Sequence, residues 1–369
     1  MNVLVRNVPL SVLTAVCLFG VQSSHGQTSV TTNPVGYVQL TCTASSDTVV
    51  AVPFTQPAAF VGTVASVSGS TVTVSGTASW TTNQFVYSGS GSSTYYAQMG
   101  PYSSGTDPLD GSYFTIASNG TNTLTLSLNG GSISSVPAGS TVTVYPYWTL
   151  GTVFPPSASG TAFIPTTSAL FTQTVIYVPA YSGTGINLAS PTAYFFYQGA
   201  WCLTTGSLGA DYNDTVLPPD GYVTVRNPGS VTTVTTMGSV PMGNLMVPLA
   251  TNATIPQDNF VSIARPVATT LNNLGLISSG AFTPTTNSLF TQDELLLFSG
   301  TQTGINNAPG SGGIYYYYIG SSGTGWRLTT DALTTDHGND TIPAGVGFII
   351  RKVGTGNGAT AFWQNPPSY

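Results

Sequence analysis

The sequence predicts an all-β protein: a duplicated β-sandwich or barrel-like unit, with a small β-barrel-like domain inserted in its first copy. Three observations point there. Runs rich in Val, Thr, Tyr, Phe and Ile alternate with small or polar residues, and 42 Gly and 25 Pro punctuate them at short intervals. No stretch of useful length carries the i, i+3, i+4 apolar spacing of an amphipathic helix. A long segment also recurs in order, so the chain reads as two related units.

At the N-terminus, Arg6 precedes an apolar stretch from Val8 to Val21, and Ser24 and Gly26 place small residues where a signal peptidase reads. Residues 1–26 are therefore expected to be a secretory signal peptide. Val16 before Cys17 argues against a lipoprotein site. Strands are then expected at Tyr37–Cys42 and Thr48–Phe54. A hairpin joins Val61–Val67 to Thr71–Ser75 through Ser68-Gly69. A second joins Phe114–Ser118 to Thr121–Leu128, with Asn119-Gly120 suited to a type I′ turn. Further strands are expected at Thr141–Trp148, Thr174–Tyr181, Ala193–Gln198, Phe260–Arg265, Glu294–Phe298, Ile314–Ile319, Gly347–Val353 and Thr360–Trp363.

The repeat sets the domain plan. AFIPTTSALFTQ (162–173) and AFTPTTNSLFTQ (281–292) agree at nine of twelve positions. Thr184-Gly185-Ile186-Asn187 then matches Thr303-Gly304-Ile305-Asn306, Trp201 matches Trp326, and the strand ending at Arg226 matches the one ending at Arg351. Upstream, Asp47–Val52 resembles Asp258–Ile263. The expected division is a first unit at 27–60 and 148–232, an inserted β domain at 61–147, and a second unit at 233–369. An insertion of that size suits a surface loop, because closure entropy grows only logarithmically with length.

Composition narrows function. Charged residues make up 5% of the chain, against about 25% in an ordinary soluble domain. Beyond the signal, five Lys and Arg face 12 Asp and Glu, too few cations for a nucleic-acid surface. No later segment offers ~18 uninterrupted apolar residues, so no transmembrane helix is expected in the exported chain. Cys42 and Cys202 remain as a possible disulfide, whose loop closure would contribute about 5 kcal/mol on a chain-entropy model. Two separate buried thiols fit the sequence equally well.

Chemistry-bearing motifs are sparse. Asp211 and Asp214 in the first unit, and Asp336 and Asp340 in the second, lie in matching acidic turns. Such oxygen-rich loops are weak calcium candidates, set against plain Asx turns. Calcium is the one cofactor considered, and the main expectation is none. His337 is the single histidine past the signal, expected as a solvated loop residue without a Gly-x-Ser-x-Gly partner. Glu294, the only glutamate, reads as an exposed strand-edge charge without a second carboxylate to work with. Gly354–Ala359 fits G-x-G-x-x-A in letters alone, because a strand and not a helix follows. Arg226 and Arg351 read as structural partners of nearby aspartates. Tyr315 and Tyr317, with Trp201 and Trp326 beside matching strands, are the candidate binding surface, set against core packing.

Asn33–Val38, Gly111–Ile116 and Tyr147–Gly151 together give the chain a resemblance. It resembles a paralogous family of secreted β-rich proteins from Verrucomicrobia, over essentially the whole chain past the signal. The resemblance implies export and brings no activity, cofactor or catalytic residue with it.

The expected function is a secreted, non-catalytic structural or cell-surface protein that assembles with itself into a matrix, sheath or appendage. Edge strands without lysine are unguarded against such pairing. The alternative is a polysaccharide-binding or adhesion module using exposed Tyr and Trp. A carboxylate-pair hydrolase stands third. Localisation is expected outside the cytoplasm: extracellular, cell-surface or periplasmic.

Overall fold

The structure is a computed structural model that describes residues 34–369, except 87–93, 102–108, 129–130, 156–163, 165–172, 189–190, 288, 290, 301–302, 355–356 and 368–369. The expected signal peptide and most of the 162–173 repeat segment lie outside the described residues.

The first copy opens with β1 (Val35–Cys42) and β2 (Ser46–Ala51). The insert follows as β3 (Phe60–Ser68), β4 (Thr71–Val74), β5 (Tyr95–Met99), β6 (Tyr113–Asn119), β7 (Thr123–Leu126) and β8 (Thr141–Pro146). The copy resumes with β9 (Trp148–Thr149), a one-turn helix α1 (Leu150–Val153), β10 (Val175–Val178), β11 (Thr192–Tyr197), β12 (Ala200–Leu203), β13 (Val216–Leu217), β14 (Tyr222–Asn227) and β15 (Thr232–Ser239). The second copy runs through β16 (Leu245–Leu249), β17 (Gln257–Ser262), β18 (Thr269–Thr270), a 3-10 turn (Leu271–Leu274), β19 (Glu294–Leu297), β20 (Gly313–Gly320), β21 (Gly323–Leu328), β22 (Thr341–Ile342), β23 (Gly347–Lys352) and β24 (Ala361–Asn365).

The duplication is visible strand by strand. The first copy's five-stranded sheet has the order β12-β11-β10-β14-β2, and the second copy's has β21-β20-β19-β23-β17, the same order. Each copy adds a two-stranded ribbon, β1-β15 or β16-β24, and a short pair, β9-β13 or β18-β22; because β15 (Thr232–Ser239) pairs with β1, the first copy runs past the boundary expected at 232/233. Between β2 and β9 the insert closes into a six-stranded barrel, β3-β4-β7-β6-β5-β8. Closure leaves the barrel without an edge. Each body has its own apolar centre: Val72, Ile116 and Leu124 in the barrel, Ile176, Trp201 and Val225 in the first copy, and Leu295, Trp326 and Phe348 in the second.

One local expectation gives way. Asn119-Gly120 does not make the type I′ turn, because neither residue takes a positive φ. The turn closes one step later, with Gly120 N–H donating to the Thr123 carbonyl. Asn119 is buried, and its side chain accepts from Phe85 N–H at 2.8 Å and donates to the Thr81 carbonyl. That tertiary use outcompetes the local turn preference.

Candidate functional site

The two copies hold each other through a reciprocal pair of contacts. Arg226 on β14 forks onto Asp47 of β2, Nε to Oδ1 at 2.7 Å and Nη2 to Oδ2 at 2.8 Å. The loop Thr303–Asn306 of the second copy closes over that pair. Asn306 N–H donates to Asp47 Oδ2 at 2.6 Å, and Arg226 Nη2 donates to Asn306 Oδ1. The mirror contact uses Arg351 and Asp258, with Nε to Oδ1 at 2.8 Å and Asn187 N–H donating to Asp258 Oδ2 at 3.0 Å. Gly304 and Gly185 sit at φ 111° and 103°, a conformation that favours glycine, and their carbonyls accept from Asp47 and Asp258 N–H. The expected structural role of both arginines is thus met. In each case hydrogen bonds to the partner aspartate raise the guanidinium pKa further.

The outer edges of β2 and β17 are covered by the same exchange. Ala51 N–H donates to the Gly345 carbonyl, and Ser262 N–H donates to the Asp220 carbonyl. The far edges are covered within each copy, where Trp201 O accepts from Tyr212 N–H and Trp326 O accepts from His337 N–H. Between the copies lies a cleft of about 720 Å³. Its floor is the outward face of the first sheet, where Tyr177, Thr224 and Val49 lie side by side across β10, β14 and β2. Phe260 and Phe298 of the second copy form the facing wall, and both meet Tyr222 edge-on at 6.0 and 5.7 Å.

The residues singled out from the sequence fall elsewhere. Trp201 and Trp326 are each 1% exposed and Tyr315 is buried, while Tyr317 is half-buried with its ring edge-on to Trp326 at 5.5 Å. The aromatic binding surface is therefore corrected to core. Trp201 donates Nε1–H to the Phe154 carbonyl, and Tyr315 donates its hydroxyl to Asp340. Burial, reinforced by that bond, pushes the Tyr315 phenol up to about 12. Both faces of the Tyr315–Tyr318 strand are packed, which is why both carry tyrosine.

The acidic turns are engaged by protein groups. Asp211 accepts from Asn213 N–H and Asp336 from Gly338 N–H, the Asx-turn arrangement. Asp336 also lies 3.5 Å from Arg327. Asp214 is exposed. Among the described residues no three His, Cys, Asp or Glu side chains converge as metal ligands.

His337 is not a solvated loop residue. Its Nδ1 lies 2.9 Å from Asp340 Oδ2 and its Nε2 3.1 Å from Asp331 Oδ2. Burial opposes its charged form, but the two carboxylates outweigh that and raise its pKa. Glu294 is corrected too: β19 is an interior strand, and the carboxylate lies 3.8 Å from Arg351 and accepts from the Thr291 hydroxyl.

Cys42 and Cys202 are free and buried, so the disulfide alternative gives way to separate thiols. Cys42 ends β1 just before β2, whereas Cys202 sits on β12, at the opposite end of that sheet's strand order. Burial pushes the Cys42 thiol up to about 11, leaving an inert core residue.

Two buried features carried no recognisable sequence signal. Lys352 donates to the Ala281 carbonyl and pairs with Asp293, which is fully buried and also accepts from Thr283 and Val353 N–H. Asp220 accepts from the Tyr113 hydroxyl of the barrel at 2.8 Å, and burial pushes its carboxyl up to about 6. With Arg265 and Arg327 also buried, every cation among the described residues is buried or ion-paired.

Among the described residues, the face of the β1-β15 ribbon is open to solvent. On the β1-β15 ribbon, Tyr37 stands directly opposite Met237, flanked by Val35, Gln39 and Thr235. Val35, Tyr37 and Met237 are 76%, 69% and 63% exposed, and no charge lies among these residues. The equivalent ribbon of the second copy is docked on the barrel: Met246 N–H donates to the Gly111 carbonyl, and Asn244 donates to Asp110.

No helix among the described residues is long and apolar enough to cross a membrane. No protein-family profile matches the chain, and no curated protein or solved structure is significantly similar to it.

Proposed function

We propose that this is an exported, non-catalytic structural or cell-surface protein that associates with further copies of itself through the β1-β15 ribbon. The open, uncharged face around Tyr37 and Met237 carries the reading. Contiguous exposed apolar residues on a sheet mark an interaction surface. None of Val35, Tyr37, Gln39, Thr235 and Met237 carries a charge that would oppose contact with a like face. The corresponding ribbon of the second copy already serves as a docking face inside the molecule, for the barrel. Association through β edges alone is less well supported, because loops cover the edges of both five-stranded sheets.

Light scattering across a concentration series tests the reading. The protein gains mass with concentration, and Tyr37→Lys with Met237→Lys abolishes the gain while leaving the melting temperature in place. A constant monomer mass at every concentration overturns it. Adhesion through the aromatic residues expected from the sequence has less support, because Trp201, Trp326 and Tyr315 are buried and Tyr317 packs edge-on to Trp326.

A further inference from the structure

We infer that the cleft between the two copies is a binding site for a short neutral oligosaccharide. The inference does not rest on self-association: the cleft is floored by the first five-stranded sheet and faced by Phe260 and Phe298, and it touches the β1-β15 ribbon only at Leu40 and Thr41, at the end of β1 away from Tyr37.

The volume, about 720 Å³, falls within the range of small-molecule sites, roughly 300–1,000 Å³. Its chemistry selects the ligand class. The rings of Phe260, Phe298 and Tyr177, the last with the Arg226 guanidinium 4.7 Å from its centroid, present apolar surface, while Thr224 and Thr43 add hydroxyls and Asn307, whose amide N–H donates to the Asp47 carbonyl, adds an amide oxygen. A sugar ring matches both, with C–H faces for the aromatic rings and hydroxyls for the polar groups. An aliphatic chain would offer the Thr224 and Thr43 hydroxyls nothing to bond in a desolvated site. A charged ligand finds no free counter-charge, because the Asp47 and Arg226 charges on the rim are satisfied by each other and by Asn306. An extended peptide adding to β2 would need its edge N–H groups, and those of Asp47 and Ala51 already donate to Gly304 and Gly345. The second copy has Leu296 where the first has Tyr177, so the aromatic floor belongs to one copy alone.

The test is isothermal titration of the purified protein with neutral trisaccharides of glucose, mannose, xylose and N-acetylglucosamine. A proline-rich peptide and a medium-chain fatty acid serve as competing probes. At least one trisaccharide binds. Tyr177→Leu, which copies the second unit, and Thr224→Val each weaken binding about tenfold, as expected for one lost stacking or hydrogen-bonding contact. Hydrogen exchange on the unmodified protein gives a readout free of any folding defect: the sugar slows exchange at 177–180 and 303–309. Binding of no sugar at millimolar concentration overturns the inference. So does sugar binding unaffected by both variants without protection of those segments, or binding of only the peptide or the fatty acid.

Discussion

Asn306 N–H donates to Asp47 across the boundary between the two copies, and Asn187 N–H returns the same bond to Asp258. A duplication has thereby become a mutual clasp: each copy's Arg–Asp fork is completed by the other copy's Thr-Gly-Ile-Asn loop. Both asparagines take a positive φ, 51° at Asn187 and 59° at Asn306, which Asn tolerates better than most residues. Asp258→Ala strips the acceptor from Arg351 and from Asn187 at a carboxylate that is only 2% exposed. Removing one partner of a buried pair leaves the other unsatisfied, so about 3 kcal/mol of stability is lost in urea unfolding. A change within about 0.5 kcal/mol, typical of surface sites, would contradict the clasp.

Tyr222 and Gly347 occupy equivalent positions on β14 and β23, and they meet. A Cβ on Gly347 would lie 2.2 Å from the Tyr222 ring. Gly347→Ala is therefore overpacked and loses about 1–3 kcal/mol. Tyr222→Ala in the same chain relieves the clash, so the double variant loses less than the two single losses added together. Strict additivity in chemical unfolding would count against this contact.

The buried Lys352–Asp293 pair stands where the first copy has Asn227 and Thr174. Asn227 donates instead to the Cys42, Thr43 and Ser230 carbonyls, so the two copies satisfy one place with an ionic and a neutral solution. Lys352→Asn alone strands a carboxylate and costs about 3–5 kcal/mol. Adding Asp293→Thr removes the stranded carboxylate and installs the first copy's residues at both positions, so part of that loss is recovered. A double variant no more stable than Lys352→Asn would show that the two positions are not coupled.

Asp220 gives the protein a pH dependence of known sign. Burial holds its carboxyl proton up to about pH 6, against 3.8 without the fold. Between those values the folded state binds more protons than the unfolded one. The contribution of this group to stability is therefore greatest below about 3.8 and falls as pH rises towards 6. Asp220→Asn keeps an acceptor for Tyr113 and removes the burial cost of a charge. Melting curves should show the variant more stable at pH 7, by about 2–3 kcal/mol at most, and equal to the parent near pH 4. A variant less stable at both pH values would contradict this.

Much of the fold was legible because strand periodicity and repetition are local signals. The match of Trp201 to Trp326 and of Arg226 to Arg351 foretold two sheets with one strand order. The same match located Asn187 and Asn306 but gave no hint that each serves the other copy, since spacing along the chain is silent about exchange across a boundary. The tyrosine run left binding surface and core packing both open for a related reason. Alternation shows that Tyr315 and Tyr317 share a face, and only the packing shows that the opposite face is covered as well. Asp220, Lys352 and Asp293 carry no pattern in the sequence that marks them as buried, because their burial depends wholly on tertiary partners.

Self-association through the open ribbon is tested most directly by trapping it. Cysteine introduced by Tyr37→Cys lies on the proposed contact, and Val61→Cys places one on a barrel residue that is 63% exposed. Under mild oxidation the first variant yields covalently linked copies and the second stays single. Equal linking of both, or none of either, would contradict assembly through this face.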